Sequence, residues 1–309
     1  MDPHDLSALN TLVVNSLEEQ IAVIDQNGTI ISVNLAWINF GAQNGLSAKY
    51  GWIGQNYLKA LEQAVSSGDV YAIEAYDGIR NVMHHIRDEF SFEYPCHSPE
   101  EKRWFLMRVK RLIDNSKDML VLSHTNITQR KLAEERAEHL ALHDPLTQLA
   151  NRRYFDQSLQ REMKRNSRNH TPISLIEVDI DNFKDCNDQY GHLAGDQCLM
   201  AIGQALQSYA RRAGDLAARL GGDEFALLLP ETDYEQSQAL AEQLLEAIQS
   251  VPMNFKHHQV SIKASLGVAT LEPHGLLDRS FLLQEADKAL YRAKKTGKNR
   301  VVHAQLLDD

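Results

Sequence analysis

The hydrophobic pattern of the first 130 or so residues predicts a small antiparallel sheet with helices. Apolar positions at helical spacing over residues 6–20 predict a first helix, and short helical pieces follow to about Met83. Two β-branched runs flank Asn27-Gly28, a pair typical of a hairpin turn. Five strands are predicted, at residues 21–25, 29–34, 90–94, 103–112 and 119–124.

Residues 129–143 have a different pattern, without Gly or Pro and rich in strong helix formers. Ala133, Ala137 and Leu140 fall on one stripe, with the spacing of a coiled coil. The stretch is too short to decide between a coiled coil and a solvated connecting helix.

The second half of the chain alternates long amphipathic stretches with short apolar runs. This mixed order predicts an α+β domain in which helices cover a central antiparallel sheet. The predicted elements are a helix from an N-cap region at Asp144 to about Asn166, a strand at 173–181, helices near 195–210, a hairpin at 216–229, a helix at 234–250, a strand at 260–269 and a helix from about 278 to 295.

Length and composition limit the classes of function. A chain of 309 residues suggests about two domains, and 43% hydrophobic content is enough for two cores. The net charge of −10 argues against nucleic acid as a partner. Three cysteines without metal-type spacing suggest reduced thiols. With no signal peptide and no apolar run long enough for a membrane span, we expect a cytoplasmic protein.

The turn at Gly221-Gly222 carries the clearest candidate chemistry. Paired glycines suit a tight hairpin turn, and the apolar run from Phe225 predicts that a buried strand follows. Asp223 and Glu224 would then lie at a rigid strand entry, where carboxylates suit a hard cation such as Mg²⁺. Taken in isolation, the same four residues also fit an ordinary acidic hairpin.

Five blocks of residues, taken together and in order, are a more specific signal than this turn alone. The blocks are residues 143–153, 178–188, 191–196, 219–230 and 289–301. Together they resemble the GGDEF family, the diguanylate cyclases, over about residues 143–303. The resemblance implies a palm-like fold that condenses two GTP molecules into cyclic di-GMP and two pyrophosphates, with Mg²⁺ or Mn²⁺, as a homodimer.

Two assignments of the metal ligands differ. Strand alternation alone would pair Asp179 with Asp181, which share a face. The resemblance implies instead that Asp179 and Asp223 bind the metals, with help from the Ile180 carbonyl. It makes Glu224 the general base or a further ligand, and the sequence does not separate those two roles.

The resemblance also assigns the substrate contacts. Asn187 and Asp196 match the family's guanine readers, and His192 lies between them in the chain. Asn182, Phe183 and Lys184 lead into a predicted turn whose backbone amides suit phosphate, and Lys184 would stabilise charge in the transition state. Lys294 and Lys298 match phosphate-binding cations; arginine is common in the family at position 298, and a lysine keeps the charge without the bidentate fork.

Arg212 and Asp215 are three positions apart, and five residues, 216–220, separate Asp215 from the first glycine of the signature, Gly221. In the family, an Arg and an Asp in this register form an inhibitory site for cyclic di-GMP. The same spacing also occurs as a local ion pair.

The first half of the chain resembles a PAS sensor domain over about residues 11–129, in the Asn27-Gly28 hairpin, Asn34 and the exit at Asn126. The resemblance allows a small bound ligand, which the sequence does not identify. Candidate ligand contacts are Trp37, Trp52, His84, His85, Cys96 and His97, and haem is less favoured than ordinary histidines. The predicted division is 1–129 sensor, 130–142 connecting helix and 143–309 cyclase.

Two other functions remain open. A degenerate domain of this family could bind nucleotide and signal without turnover, although the complete set of matched residues argues against it. The chain could also be a scaffold whose first half mediates association.

Overall fold

The computed structural model describes residues 3–47, 49–99, 101–114, 117–255, 258–272 and 278–304. The chain forms two compact units, Met1–Glu135 and Arg136–Asp309. Residues 1–2 of the predicted sensor and residues 305–309 of the predicted cyclase lie outside the described residues. No helix in the described ranges is long and apolar enough to cross a membrane.

The first unit is built on a five-stranded antiparallel sheet in the order β2-β1-β5-β4-β3. All five predicted strands are present. The first helix ends earlier than predicted, because β1 already begins at Gln20. The elements are α1 Pro3–Ser16, β1 Gln20–Asp25, β2 Ile30–Val33, α2 Leu35–Gln43, α3 Tyr57–Ser66, α4 Val70–Met83, β3 Glu89–Pro95, β4 Trp104–Asp114 and β5 Lys117–Asn126.

Asn34 fixes the end of the first hairpin from a buried position. Its amide oxygen accepts hydrogen bonds from the backbone N–H groups of Ile21 and Trp37, each at 3.0 Å. Its nitrogen donates to the Glu19 carbonyl at 2.8 Å. One side chain therefore joins β1 to the N-terminus of α2, which explains why an asparagine ends the hairpin.

His124 is a buried titratable group of this unit. It lies on β5, with Nδ1 2.7 Å from the Tyr94 hydroxyl and Nε2 3.4 Å from the Tyr57 hydroxyl. Burial lowers the pKa of His124 to about 4. Because neither tyrosine hydroxyl carries a negative charge, these two neighbours do not offset the cost of protonating the buried imidazole.

We expect the first unit to lose stability in mild acid. The unfolded chain binds a proton at His124 below about pH 6.5, and the folded chain does so only near pH 4. The contribution of the neutral His124 ring to stability is therefore fully present above the unfolded-state pKa of about 6.5, and it is lost as the pH falls toward the folded-state pKa of about 4. The free energy of unfolding should drop by about 2 kcal/mol from about pH 7 to about pH 5 because of this group alone.

Tryptophan fluorescence during urea unfolding measures this effect, since Trp37, Trp52 and Trp104 all belong to the first unit. His124→Gln should flatten the pH dependence, whereas His84→Gln, at an exposed position, should not. Equal slopes in wild type and His124→Gln would contradict the assignment.

The second unit is built on a six-stranded sheet in the order β13-β12-β7-β9-β8-β6. The four central strands are antiparallel, as predicted, and both edge strands pair in parallel. α5 Thr128–Leu142 leads into this unit. The other elements are β6 Ala150–Asn151, α6 Arg152–Asn169, β7 Ile173–Ile180, α7 Phe183–Tyr190, α8 His192–Tyr209, β8 Leu216–Gly221, β9 Glu224–Pro230, α9 Tyr234–Ser250, β10 Met253–Phe255, β11 His258–Val260, β12 Ala264–Leu271, α10 Arg279–Lys295 and β13 Val301–His303.

The two central strands β7 and β9 are buried on both faces. Ile176, Val178 and Leu227 face a core formed with α8 and α9, while Leu175 and Leu228 face a second core formed with α6 and α10. Helices on both faces hold the ends of these strands rigidly, which matters for the carboxylates that lie there.

Three predictions about this unit are wrong. Asp144 does not cap the first helix: Asn151 does, accepting from the Tyr154 N–H at 3.0 Å, because a short strand, β6, intervenes. Residues 183–184 start helix α7 rather than lead into a turn. The strand predicted at 260–269 begins at Ala264, since His258–Val260 pairs with β10 in a separate ribbon.

Candidate active site

Asp179 and Glu224 lie opposite each other at one end of the central sheet, in the register of β7 and β9. The Ile180 N–H donates to the Asp223 carbonyl at 3.4 Å. The hairpin turn therefore brings Asp223 beside the end of β7, although Asp179 and Asp223 are far apart in sequence. Asp179 is buried, Asp223 is half-buried and Glu224 is exposed.

The Asp179 carboxylate lies between one cation and two acidic neighbours. Lys294 on α10 places Nζ 2.6 Å from Asp179 Oδ2. Even so, the pKa of Asp179 is raised, because burial and the nearby charges of Asp223 and Glu224 outweigh the lysine. Three neighbouring carboxylates, one of them paired with a cation, suit the binding of a hard divalent cation. Within the described ranges, no three His, Cys, Asp or Glu side chains are already gathered as a metal site.

Asp181 is committed to other bonds. Its Oδ1 accepts from the Ser265 hydroxyl at 2.8 Å, and its Oδ2 accepts from the Asn299 N–H at 2.8 Å. These bonds tie the end of β7 to β12 and to the segment after α10. The arrangement favours pairing Asp179 with Asp223 over the pairing with Asp181 that strand alternation suggested.

Helices α7 and α8 pack closely at Gly195. A Cβ at this glycine would lie 1.9 Å from Asn187 Oδ1 and 3.2 Å from the Phe183 ring. The Asn187 side chain therefore lies against the residue that precedes Asp196, which brings the two predicted guanine readers together. His192 is exposed at the start of α8, and Lys184 is exposed on α7.

Lys298 approaches the same strand end from the segment after α10. Its backbone is left-handed, with φ 60°, and its Nζ donates to Asn182 Oδ1 at 2.5 Å. Asn182 is itself left-handed, with φ 56°, just before α7. Lys294 and Lys298 thus both reach the end of β7.

Arg219 and Asp144 were not predicted as site residues, yet they hold the hairpin turn. Arg219 donates to the Gly222 carbonyl through Nη2 at 2.7 Å and pairs with Asp144 Oδ1 at 3.1 Å. Burial alone would raise the pKa of Asp144, but hydrogen bonds from Thr147 and Arg219 lower it. The partners are 75 residues apart, so no local pattern could have paired them.

Gly195 was also missed as a functional position, although it stands inside a matched block. Its contribution is the absence of a side chain, which no chemistry-based reading of the sequence detects. The collision that a Cβ would make with Asn187 is visible only in the packing of α7 against α8.

Glu177 lines a cavity of about 310 Å³ on the α6 and α10 side of the sheet, together with Glu224, Asp287 and Arg152. Burial, Asp287 and Glu224 raise the pKa of Glu177 to about 7. The neighbouring carboxylates of Asp287 and Glu224 thus add to burial in disfavouring the charged form of Glu177.

Arg212 and Asp215 do not form the local ion pair that their spacing allowed. Asp215 Oδ2 accepts from the backbone N–H groups of Arg211 at 3.0 Å and Arg212 at 2.8 Å. The Arg212 side chain is exposed, with a long 3.4 Å contact to the Glu231 carbonyl. In the described structure no ion pair joins the two side chains, so the guanidinium faces solvent.

The first unit contains a cavity of about 240 Å³ that Trp37, Trp52, Tyr94 and His124 help to line. Two of the candidate ligand contacts, Trp37 and Trp52, are therefore brought together. His84, His85, Cys96 and His97 are not among the described residues that line it.

Fold and site together define a palm-type domain with carboxylates at the ends of its central strands. The family model for the diguanylate cyclase GGDEF domain matches residues 141–300. The chain belongs to this family, which confirms the resemblance in its second half.

Curated relatives cover the chain to different extents. Diguanylate cyclase DgcM of Escherichia coli K12 is 40% identical over 286 residues, 90% of this chain and 64% of that protein. Diguanylate cyclase DgcP of Pseudomonas aeruginosa is 42% identical over 161 residues, 52% of this chain and 24% of that protein. The chain thus spans less than two thirds of either relative.

Solved structures match the same region. The GGDEF domain of DgcB from Caulobacter crescentus, in complex with c-di-GMP, is 33% identical with a TM-score of 0.50, covering 53% of this chain and 96% of that one. A longer DgcB structure with its coiled coil, also with c-di-GMP, is 30% identical with a TM-score of 0.54, covering 58% and 93%.

Proposed function

We propose that the protein is a diguanylate cyclase that condenses two GTP molecules into cyclic di-GMP and releases two pyrophosphates. The observation that carries this proposal is the juxtaposition of Asp179 with Asp223 and Glu224 at the end of the central sheet, with Lys294 on Asp179. Family membership supports the choice of GTP as substrate.

The carboxylates of Asp179 and Asp223, with the Ile180 carbonyl, would hold Mg²⁺ or Mn²⁺. When bound, the metal polarises phosphate oxygens and favours attack of a 3′-hydroxyl on an α-phosphate. In this proposal, Glu224 accepts the proton of the attacking hydroxyl, because it is exposed and lies opposite Asp179.

The remaining polar residues position the substrate. Asn187 and Asp196 bind the guanine edge, since a carboxylate accepts from the two guanine N–H groups and an amide meets the rest. His192 and Phe183 flank this pocket. The triphosphate is bound by cations and by the amides at the start of α7; the cations are Lys184, Lys294 and Lys298.

The test of this function is incubation of the purified protein with GTP and Mg²⁺, followed by chromatographic detection of cyclic di-GMP. GTP binding without product would favour the degenerate-domain alternative. Neither binding nor product would favour a scaffold.

We further propose the division into a PAS-like sensor at 1–129, a connecting helix at 130–142 and the cyclase at 143–309. The strand order of the first sheet and its aromatic cavity support the sensor assignment. Helix α5, Thr128–Leu142, supports a connecting role.

The cyclase should act as a homodimer, because one carboxylate cluster activates one attack while the product needs two. The stripe of Ala133, Ala137 and Leu140 on α5 is exposed, with Leu140 66% exposed, and would suit a partner helix. We expect a variant lacking residues 1–142 to lose specific activity steeply on dilution, whereas the full chain declines less.

Activity at a series of protein concentrations, with sedimentation velocity in parallel, measures this dependence. Leu140→Glu in the full chain should shift the decline to higher concentration, and Glu138→Gln, at an exposed neighbouring position, should not. A truncated monomer that keeps full activity at nanomolar concentration would rule out the dimer requirement.

Product inhibition through Arg212 and Asp215 is the regulatory part of the proposal. The exposed guanidinium of Arg212 can donate two parallel hydrogen bonds to guanine acceptors or to a phosphate, and the carboxylate of Asp215 can accept from guanine N–H groups. Product bound there would hold two catalytic domains apart without competing for GTP.

We expect added cyclic di-GMP to lower the rate of the wild type with little change in the GTP half-saturation. Arg212→Ala should relieve this inhibition, and Arg211→Ala, whose side chain contacts Tyr209 and the Ser208 carbonyl, should not. Progress curves with and without added product measure the difference. Identical product sensitivity in wild type and Arg212→Ala would refute the assignment.

A further inference from the structure

Two thiols face each other across the seam between α7 and α8. Cys186 Sγ lies 3.9 Å from Cys198 Sγ, although the residues are 12 positions apart in sequence. Cys198 is 3% exposed within the core, and Cys186 is half-buried beside it. The third cysteine, Cys96, belongs to the first unit.

The thiol pair adjoins the proposed guanine pocket on both sides. Cys186 immediately precedes Asn187, and Cys198 lies three residues, about one turn of α8, after Gly195, the glycine against which Asn187 packs. The two helices are tightly packed here, because a Cβ on Gly195 would lie only 1.9 Å from Asn187 Oδ1. A change in the distance between the two sulfur atoms must therefore be absorbed by residues that we assign to guanine binding.

We propose that Cys186 and Cys198 are a redox modification site, at which a peroxide forms a reversible disulfide that weakens GTP binding. The effect on GTP rests on the proposed function. In the first step the more accessible Cys186 thiol is oxidised by hydrogen peroxide to a sulfenic acid and one water is released. Cys198 sulfur then attacks Cys186 sulfur, an S–S bond forms, and the sulfenic oxygen leaves as a second water with the Cys198 proton.

The distance between the two sulfur atoms determines how far α7 must move when the disulfide forms. A disulfide has an S–S length of about 2.05 Å, so the sulfur atoms must approach by roughly 2 Å from their present separation. Cys198 is fixed in the core, so the movement falls on Cys186 and α7. Asn187, the next residue, then loses its position against Gly195 and Asp196.

The chemistry of the pair suits a reversible switch rather than a permanent bond. Burial, with the neighbouring Cys186, raises the pKa of Cys198, which keeps this thiol protonated and inert until its partner is oxidised. The simpler interpretation is that two small side chains only fill space in the seam. The two interpretations differ in whether oxidation links the residues.

The experiment uses the full chain, reduced, freed of reductant and treated with hydrogen peroxide. Proteolytic cleavage before Asp188 and Asp196 separates the two cysteines, so a disulfide appears as two joined fragments in the mass spectrum. We expect joined fragments, an increase of about tenfold in the KM for GTP, as for one lost hydrogen bond to the base, and recovery of both with dithiothreitol.

Two variants and one control complete the test. Cys186→Ser and Cys198→Ala should each abolish the joined fragments and the change in KM, and Cys96→Ser should retain both. The mass measurement does not depend on turnover, so it tests for the disulfide even if the protein makes no cyclic di-GMP. In that case GTP affinity is measured by equilibrium dialysis instead of through the KM. The absence of joined fragments at peroxide levels that oxidise Cys96, or joined fragments with unchanged GTP affinity, would overturn the proposal.

Discussion

Asp223→Asn is expected to lower the rate of cyclic di-GMP formation by about a thousandfold, which corresponds to about 4 kcal/mol of transition-state stabilisation. The substitution removes one negative charge from a cluster in which Asp223 already raises the pKa of Asp179. The fold should be unaffected, because Asp223 contacts Ile180 through its backbone carbonyl, which asparagine retains.

Initial rates with Mg²⁺ and thermal unfolding, measured on the same preparation, test this expectation. Glu235→Gln is a suitable control, since it removes an exposed carboxylate at the start of α9. Activity near the wild-type level in Asp223→Asn, with the fold intact, would show that Asp223 does not hold the metal.

Gly195→Ala should raise the KM for GTP by about ten- to a hundredfold, a loss of 1–3 kcal/mol expected when guanine hydrogen bonds are left unmade. The added methyl group would lie 1.9 Å from Asn187 Oδ1 and 2.9 Å from its Cγ, so the Asn187 side chain must move. The maximal rate should change less, because the carboxylate cluster lies on the sheet rather than on α8.

Gly203→Ala is the matched control on the same helix. Both substitutions gain helix propensity, but the Gly203 methyl would meet Thr147 at 3.1 Å and not the pocket. The double variant with Asn187→Ala should bind GTP no worse than Asn187→Ala alone, since the methyl acts through that side chain. An unchanged KM in Gly195→Ala would remove Asn187 from guanine recognition.

The sequence predicted most helices and strands of both units because their signals are local. Alternation in β4, the Asn27-Gly28 turn and the paired glycines at Gly221 each depend on a few neighbouring residues. The same reasoning failed at Asp144 and residues 183–184, where a short edge strand and a left-handed Asn182 redirect the chain. Such features depend on tertiary pairing.

The candidate site was less predictable from pattern alone. Alternation placed Asp181 with Asp179, and only the register of β7 with β9 brings Asp223 to that strand end. The Arg219–Asp144 contact joins residues 75 apart, and the close approach at Gly195 depends on helix packing. Long-range contacts of this kind leave no local periodicity in the sequence.

The stoichiometry of the GTP reaction tests the central claim most directly. Purified wild-type protein and Asp223→Asn are incubated with GTP and Mg²⁺, and cyclic di-GMP and pyrophosphate are quantified together. Our account predicts two pyrophosphates released for each cyclic di-GMP formed by the wild type, and neither product above background in the variant. GTP left unconverted by folded wild-type protein, or converted equally by both proteins, would contradict it.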